Sequence, residues 1–198
     1  MSTKPILVSR TGYAEKDVTD PNTINFKLGG SLNYKITNSL EAIVAGFWGT
    51  GNTVYTGSDR YSLRDLKMGQ YKVELNHTNW FIRGYTTQEN AGQSYNTTIA
   101  TRIFNEGWKP STTAWFPQYG QAFLNAKLNG ASDYNAHATA RAVADMGRPE
   151  PGSDQFKKTF DSVRLKPISE GGGLFIDRTN LYATEGQYNL THLTGKFA

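Results

Sequence analysis

The sequence predicts a mainly β chain: an antiparallel up-and-down meander forming part of a transmembrane β-barrel, with a helical loop insertion. Three observations lead there: an alternating run over residues 24–36, two pairs of strand patterns joined by short polar turns, and a change to helix-tolerant composition from about residue 96. In the first run Ile24, Phe26, Leu28, Leu32, Tyr34 and Ile36 share one parity with Gly30, while Asn25, Lys27, Gly29, Ser31, Asn33 and Lys35 take the other. Successive strand side chains point to opposite faces, so this run makes one strand with an apolar and a polar side. At about 3.3 Å per residue it extends roughly 40 Å, about twice an ordinary strand. A barrel strand crosses a membrane in about nine to eleven tilted residues, apolar outward and polar inward, so length and pattern both fit that class.

The following elements extend the meander. Thr37, Asn38 and Ser39 make a short polar turn before a second apolar run over residues 40–48, which is the chemistry of a hairpin. Leu40, Ala42, Val44, Gly46 and Trp48 share one face of that run, but Ile43, Ala45 and Phe47 make the other face apolar too. Gly49, Gly51 and Asn52 break the pattern, and a loop rich in Thr, Ser, Asp and Arg is expected to continue to about Leu66. A second hairpin sets Tyr71, Val73, Leu75 and His77 against Gln70, Lys72, Glu74 and Asn76, turns at residues 77–79, and returns over 80–89 with Trp80 and Ile82 opposed to Arg83, Tyr85 and Thr87. Two tight hairpins with a longer link between them form an up-and-down arrangement. Trp80 and Phe81, beside a tight turn, fit either the aromatic girdle of a membrane barrel or the cap of a soluble core.

Helical patterns are expected over residues 98–108, 118–128, 132–146 and 153–165, punctuated by Gly130, Gly147, Pro149, Pro151 and Pro167. The third is read with Ala131, Ala136, Ala138, Ala140, Ala142 and Ala144, and Gly147 is placed as its C-terminal cap. The fourth pairs Ser153 or Asp154 as N-cap with Phe156, Phe160 and Val163 at helical spacing. These helices are short and weakly amphipathic, so they need a surface to pack on. Gly171, Gly172 and Gly173 then lead through Leu174, Phe175 and Ile176 to a last strand-like stretch over 180–193. The organisation predicted is one barrel segment over 1–198, with two hairpins in 23–95, a helical extracellular insertion in 96–170 and a further strand in 171–198. An insertion of that size exceeds a simple loop, and such loops commonly carry function.

Composition narrows the classes. Hydrophobic residues are 37% and aromatics 13% of the 198-residue chain. No stretch approaches the roughly eighteen apolar residues of a membrane helix, which leaves a barrel open because its strands are only half apolar. The net charge of +4 is scattered rather than gathered in a tract, so it reads as solubilising charge and no nucleic-acid partner is expected. With no cysteine, disulfides and thiol chemistry are excluded. Met1 to Pro5 lack the charged and apolar regions of a secretory signal, so a protein acting outside the cytoplasm is expected to need additional chain.

Catalytic patterns are sparse. His77, His137 and His192 are far apart and none has a partner at metal-ligand spacing. Gly49-Thr50-Gly51 is a fragment of a phosphate loop and reads as a bend, no serine lies in a Gly-x-Ser-x-Gly turn, and Asp59 and Asp65 read as solvated loop carboxylates. No catalytic residue, metal or cofactor is expected, and the chain is not expected to be an enzyme. Asn76, Asn96 and Asn189 each open a glycosylation-acceptor triplet, a short pattern that occurs by chance. In the insertion Trp108, Trp115, Phe116, Tyr119, Phe123 and Tyr134 lie in a polar, glycine-containing stretch, where they either form loop contacts that stack on a sugar or peptide or make the small core of the helices.

The segments Gly12-Tyr13-Ala14-Glu15-Lys16-Asp17, Asn25-Phe26-Lys27, Leu32-Asn33-Tyr34-Lys35-Ile36, Gly51-Asn52-Thr53-Val54-Tyr55-Thr56-Gly57 with Arg60-Tyr61, and Arg83-Gly84-Tyr85-Thr86-Thr87-Gln88-Glu89 with Ser94-Tyr95 resemble the opening barrel strands of TonB-dependent receptors of the Bacteroidetes. The resemblance is to the large kind with a carboxypeptidase-regulatory-like domain and plug. It implies a 22-stranded outer-membrane barrel in which substrate binds at outer loops and plug, and force transmitted by TonB opens a path for uptake. About five strands are legible here and no plug is, so the chain is expected to be a segment of such a barrel in the bacterial outer membrane. Its implied partners are the remaining barrel and plug, the TonB system, outer-membrane lipid and a surface lipoprotein. Parity makes Lys27, Asn33, Lys35, Lys72, Glu74 and Arg83 the lumen-facing polar residues. A soluble β-rich module that binds carbohydrate or protein is the alternative.

Overall fold

The computed structural model describes residues 7–191, which form two compact units, one a sheet and one mostly helical. His192 and the end of the stretch expected over 180–193 lie outside the described residues, as do Met1 to Pro5.

The sheet unit holds residues 21–56, 61–94 and 175–191. Its strands are β1 (Ile24–Lys35), β2 (Leu40–Thr56), β3 (Arg60–His77) and β4 (Trp80–Asn90); β5 (Tyr95–Asn96) is a two-residue strand that belongs to the helical unit, and β6 (Arg178–Tyr188) completes the sheet. The order is β1-β2-β3-β4-β6, with β1–β2, β3–β4 and β4–β6 antiparallel, so the expected antiparallel meander is present and, among the described residues, open.

The expected loop up to Leu66 is corrected. β2 runs on through Gly49, Gly51 and Asn52 to Thr56, and β3 begins at Arg60, leaving only residues 57–59 as the connection. Pairing with β1 extends to Asn52 opposite Ile24, and a Cβ on Gly51 would fall 2.7 Å from the Ile24 carbonyl oxygen. Glycine here marks a close approach of two backbones inside a strand, not a turn. The local break comes later. Asp65 takes φ 54 within β3 and donates its N–H to Asn52 Oδ1 at 2.8 Å. Opposite it Gly92, at φ 61, leaves only 2.4 Å between a hypothetical Cβ and the Asp65 carbonyl oxygen, so no side chain fits there.

The helical unit gathers residues 7–20, 57–60 and 95–174. It contains α1 (Glu15–Val18), α2 (Thr97–Trp108), a π-helical turn (Ser111–Trp115), α3 (Phe116–Leu128), α4 (Asp133–Ala144), α5 (Asp154–Arg164) and a 3-10 turn (Ile168–Glu170). All four expected helices are present. α3 starts ahead of residue 118 because Pro117 sits in its first turn, where a missing N–H costs nothing. Asn96, Ser132 and Ser153 cap α2, α4 and α5 by accepting the N–H of Ile99, Asn135 and Phe156.

Two aromatic cores hold these helices. Phe104 of α2 meets Phe156 and Phe160 of α5 edge to face at 5.1 and 5.5 Å, with Tyr95, Val18 and Tyr13 around them. Trp115 and Tyr119 stack at 5.3 Å and pack on Ala140 and Ala144, whose small side chains let α3 lie close to α4. Residues 7–14 cross this unit as an extended strap. Arg10 donates to the Asn105 carbonyl at 2.7 Å and to Ser111 Oγ, Arg141 donates to the Ser9 carbonyl and Thr11 Oγ1, and the Arg148 guanidinium lies 3.8 Å above the Tyr13 ring.

Candidate functional site

Residues directly opposite each other in an antiparallel pair share a face, so the registers assign the side chains within β1–β2 and within β3–β4–β6. Leu28 opposes Trp48, Leu32 opposes Val44 and Tyr34 opposes Ala42. On the other half Tyr71 opposes Thr86, Leu75 opposes Ile82, and Trp80 opposes Tyr188. Tyr71 reaches to 3.3 Å from where a Cβ on Gly46 would stand, which joins the halves on one side. All five strands put apolar side chains on that side, with Thr86, Thr184, Gln88 and Asn180 among them on β4 and β6, and it is open: Leu28 is 67%, Leu32 73% and Tyr182 72% exposed.

The reverse side is mixed: Ile43, Ala45 and Phe47 of β2 lie on it opposite Asn33, Ser31 and Gly29, and charged residues cross it on the other strands. Glu74, Arg83 and Glu185 lie directly opposite one another across β3, β4 and β6, a row of alternating charge. Lys72 Nζ donates to Glu74 Oε2 at 2.9 Å, Arg83 lies 3.9 Å from the same oxygen, and Arg83 also pairs with Glu185. The Arg83 guanidinium covers the Phe81 ring at 5.1 Å. The carboxylate of Glu74 is nearly buried, and its two cations compensate the loss of water. Lys27, Asn33 and Lys35 stand on the same strand parity opposite Gly49, Ile43 and Glu41. Thus the residues grouped by parity share the polar face. Glu185 escaped the sequence reading: β6 mixes Leu181 and Ala183 with Glu185 and Gln187 on one parity, so its alternation is weak. Phe81, read beside Trp80 as girdle or core cap, lies on the opposite face from Trp80, under Arg83.

The loop aromatics separate into two sets. Trp115 and Tyr119 are buried in a core, as the core alternative had it, and Trp115 Nε1 donates to Asp145 Oδ1 at 2.8 Å. Phe123 packs against that core and against His137, with ring centroids 4.6 Å apart. Trp108 is half-buried beneath the Arg10 guanidinium at 4.9 Å, while Phe116 and Tyr134 present exposed rings. His137 Nδ1 is hydrogen-bonded to Tyr119 Oη at 2.5 Å, and His77 stacks on Trp80 at 5.4 Å. Asp59 accepts from Asn96 Nδ2 at 3.1 Å. Asn96 is itself buried and committed to its helix cap.

Electrostatics in the helical unit follow the strap. Hydrogen bonds from the Ser111 backbone N–H and hydroxyl hold the Glu106 carboxyl below its ordinary range. Burial raises the Tyr13 phenol and lowers Arg10, with Glu106 partly restoring the latter. Among the described residues there is no group of three His, Asp or Glu able to hold a metal ion. None of their helices is long and apolar enough to cross a membrane, which bears only on helical spans.

No family model matches the chain, and neither the curated proteins nor the solved structures compared with it give a match.

Proposed function

We propose that the sheet is a stretch of outer-membrane β-barrel wall, apolar face to lipid and polar face to the interior, within a TonB-dependent receptor that binds a substrate and takes it up with energy from TonB. The observation carrying this reading is the two-sided sheet: an exposed apolar face over five strands, backed by the Lys72, Glu74, Arg83 and Glu185 charge network. The apolar parity of β1 from Ile24 to Tyr34 extends about 33 Å along the strand, and tilted by about 45° it rises about 23 Å, close to the roughly 25 Å height of a barrel's apolar band. Tyr34, Trp80 and Tyr188 stand at the tight-turn end of that band, where aromatic residues meet the lipid headgroups. The helical unit serves as an extracellular loop region, and Phe116, Tyr134 and the edge of Trp108 are its candidate ligand contacts.

The experiment is flotation of the refolded full chain with phospholipid vesicles. Vesicle association that salt does not reverse and detergent does supports the membrane reading. A chain that stays monodisperse in buffer without detergent and does not float supports the soluble binding module instead.

A further inference from the structure

We propose that the apolar face of the sheet seats one glycerophospholipid, with an acyl chain in a cleft over Gly84 and the phosphate at His77. The inference rests on the membrane reading and deepens it by naming a partner of that face. A cleft of about 610 Å³ opens between Val44, Tyr71 and Val73 on one flank and Tyr182 and Thr184 on the other, with Gly84 at its floor. A Cβ on Gly84 would stand 4.0 Å from the nearest neighbouring atom, the Ala183 carbonyl oxygen, so the floor is open for want of a side chain. Thr86 Oγ1 is buried and offers the cleft no polar atom. A mainly apolar trough of this kind suits a hydrocarbon chain rather than a hydrogen-bonding solute. The strand that carries Gly84, β4, is paired on both sides, by β3 and β6, so the floor of the cleft does not depend on an open strand edge.

His77 shares the parity of Val73 and lies further along β3 at the tight turn, about 13 Å away. With a strand tilt of about 45° the two differ by about 9 Å in depth, within the roughly 15 Å that one leaflet contributes to the hydrocarbon core. A lipid lying in the cleft therefore brings its phosphate to the level of His77. The Asn79 N–H donates to His77 Nδ1 at 3.3 Å, which leaves the imidazole proton on Nε2. That N–H is a donor suited to a phosphodiester, whose charged oxygens only accept. Trp80 stacks on the imidazole at 5.4 Å and holds the ring, and Tyr188 stands opposite Trp80 at the same level. Lys35 and Glu41, directly opposite each other, line the recess beside His77 and offset each other in charge, so recognition rests on the donor and not on a net positive patch.

The test reads, by native mass spectrometry, the phospholipid that the full chain carries from phosphatidylcholine vesicles into maltoside micelles, with flotation of each variant beforehand. Expected is one retained phospholipid per chain, falling several-fold in Gly84→Leu, which fills the cleft, and in His77→Phe, which keeps a ring on Trp80 but has no donor. Gly30→Leu, on the same face where a Cβ meets nothing within 4 Å, is expected to retain the lipid. Added inorganic phosphate is expected to leave retention unchanged; displacement of the lipid by it would assign His77 to free anions and overturn the seat. A chain that floats but retains no phospholipid overturns this inference and leaves the membrane reading standing, as does equal loss or equal retention in all three variants. A chain that does not float overturns both.

Discussion

Tyr71 lays its ring across Gly46, a ring carbon 3.3 Å from where a Cβ on that glycine would stand. On the opposite face Phe47 covers Gly29 in the same way, with a ring carbon only 2.4 Å from the hypothetical Cβ. The glycines interrupting the apolar and polar parities are therefore seats for aromatic rings from neighbouring positions, and they join β1, β2 and β3 where plain alternation leaves gaps. Replacing Gly46 by Val is predicted to push Tyr71 off its seat and to lower stability by about 1–2 kcal/mol, the cost of local overpacking. Urea unfolding followed by tyrosine fluorescence measures it, and an unchanged midpoint would remove this role from the pair.

The two parities of β1 make opposite demands on a membrane. Leu28→Lys places a charge on the apolar face and is predicted to cost about 2–4 kcal/mol near a bilayer midplane, enough to block insertion. Lys27→Leu alters the polar face and is predicted to be poorly tolerated in a channel wall, though less damaging to insertion. Vesicle flotation of both variants decides, and equal behaviour would contradict the assigned faces.

Trp115 is the largest fully buried side chain among the described residues, stacked on Tyr119 and hydrogen-bonded to Asp145. Trp115→Ala removes the ring and leaves that carboxylate without its indole donor. A loss of about 3–5 kcal/mol is predicted, read as collapse of the near-ultraviolet circular dichroism of the helical unit. A surface-stacking residue would instead lose ligand binding with stability intact.

Glu106 links the strap to the π-helical turn. Its carboxyl titrates below the ordinary range because Ser111 donates to it from backbone and side chain. A carboxyl depressed by folding stabilises the fold above its unfolded pKa, and that contribution fades as pH falls through the lower folded value. Acid titration of urea stability is predicted to show this decline, and Glu106→Gln to flatten it. An acid limb of the same slope in the variant would assign the decline to other carboxyls.

Much of this architecture is legible in the residues because each element has one dominant local signal. Strict alternation marked β1, Ser153 and the Phe156, Phe160 spacing marked α5, and the alanine-rich run marked α4 as a helix without telling what it packs against. Gly49 and Gly51 misled because glycine signals turns and close strand contacts alike, and only the partner strand tells which. The core role of Trp115 and Tyr119 remained open for a similar reason: aromatic composition does not state which ring faces inward. The charge row was half visible, since Lys72, Glu74 and Arg83 alternate cleanly while Glu185 lies far along the chain on a strand with a mixed face.

The central claim is that one face of the sheet meets lipid while the other does not. It is tested most directly with single cysteines at Leu28, Leu32, Lys27 and Asn33, each carrying an environment-sensitive fluorophore, in vesicles of phosphatidylcholine with brominated acyl chains. The account predicts strong bromine quenching from Leu28→Cys and Leu32→Cys, and quenching by aqueous iodide from Lys27→Cys and Asn33→Cys. Iodide quenching at all four positions, with no alternation along β1, would contradict it.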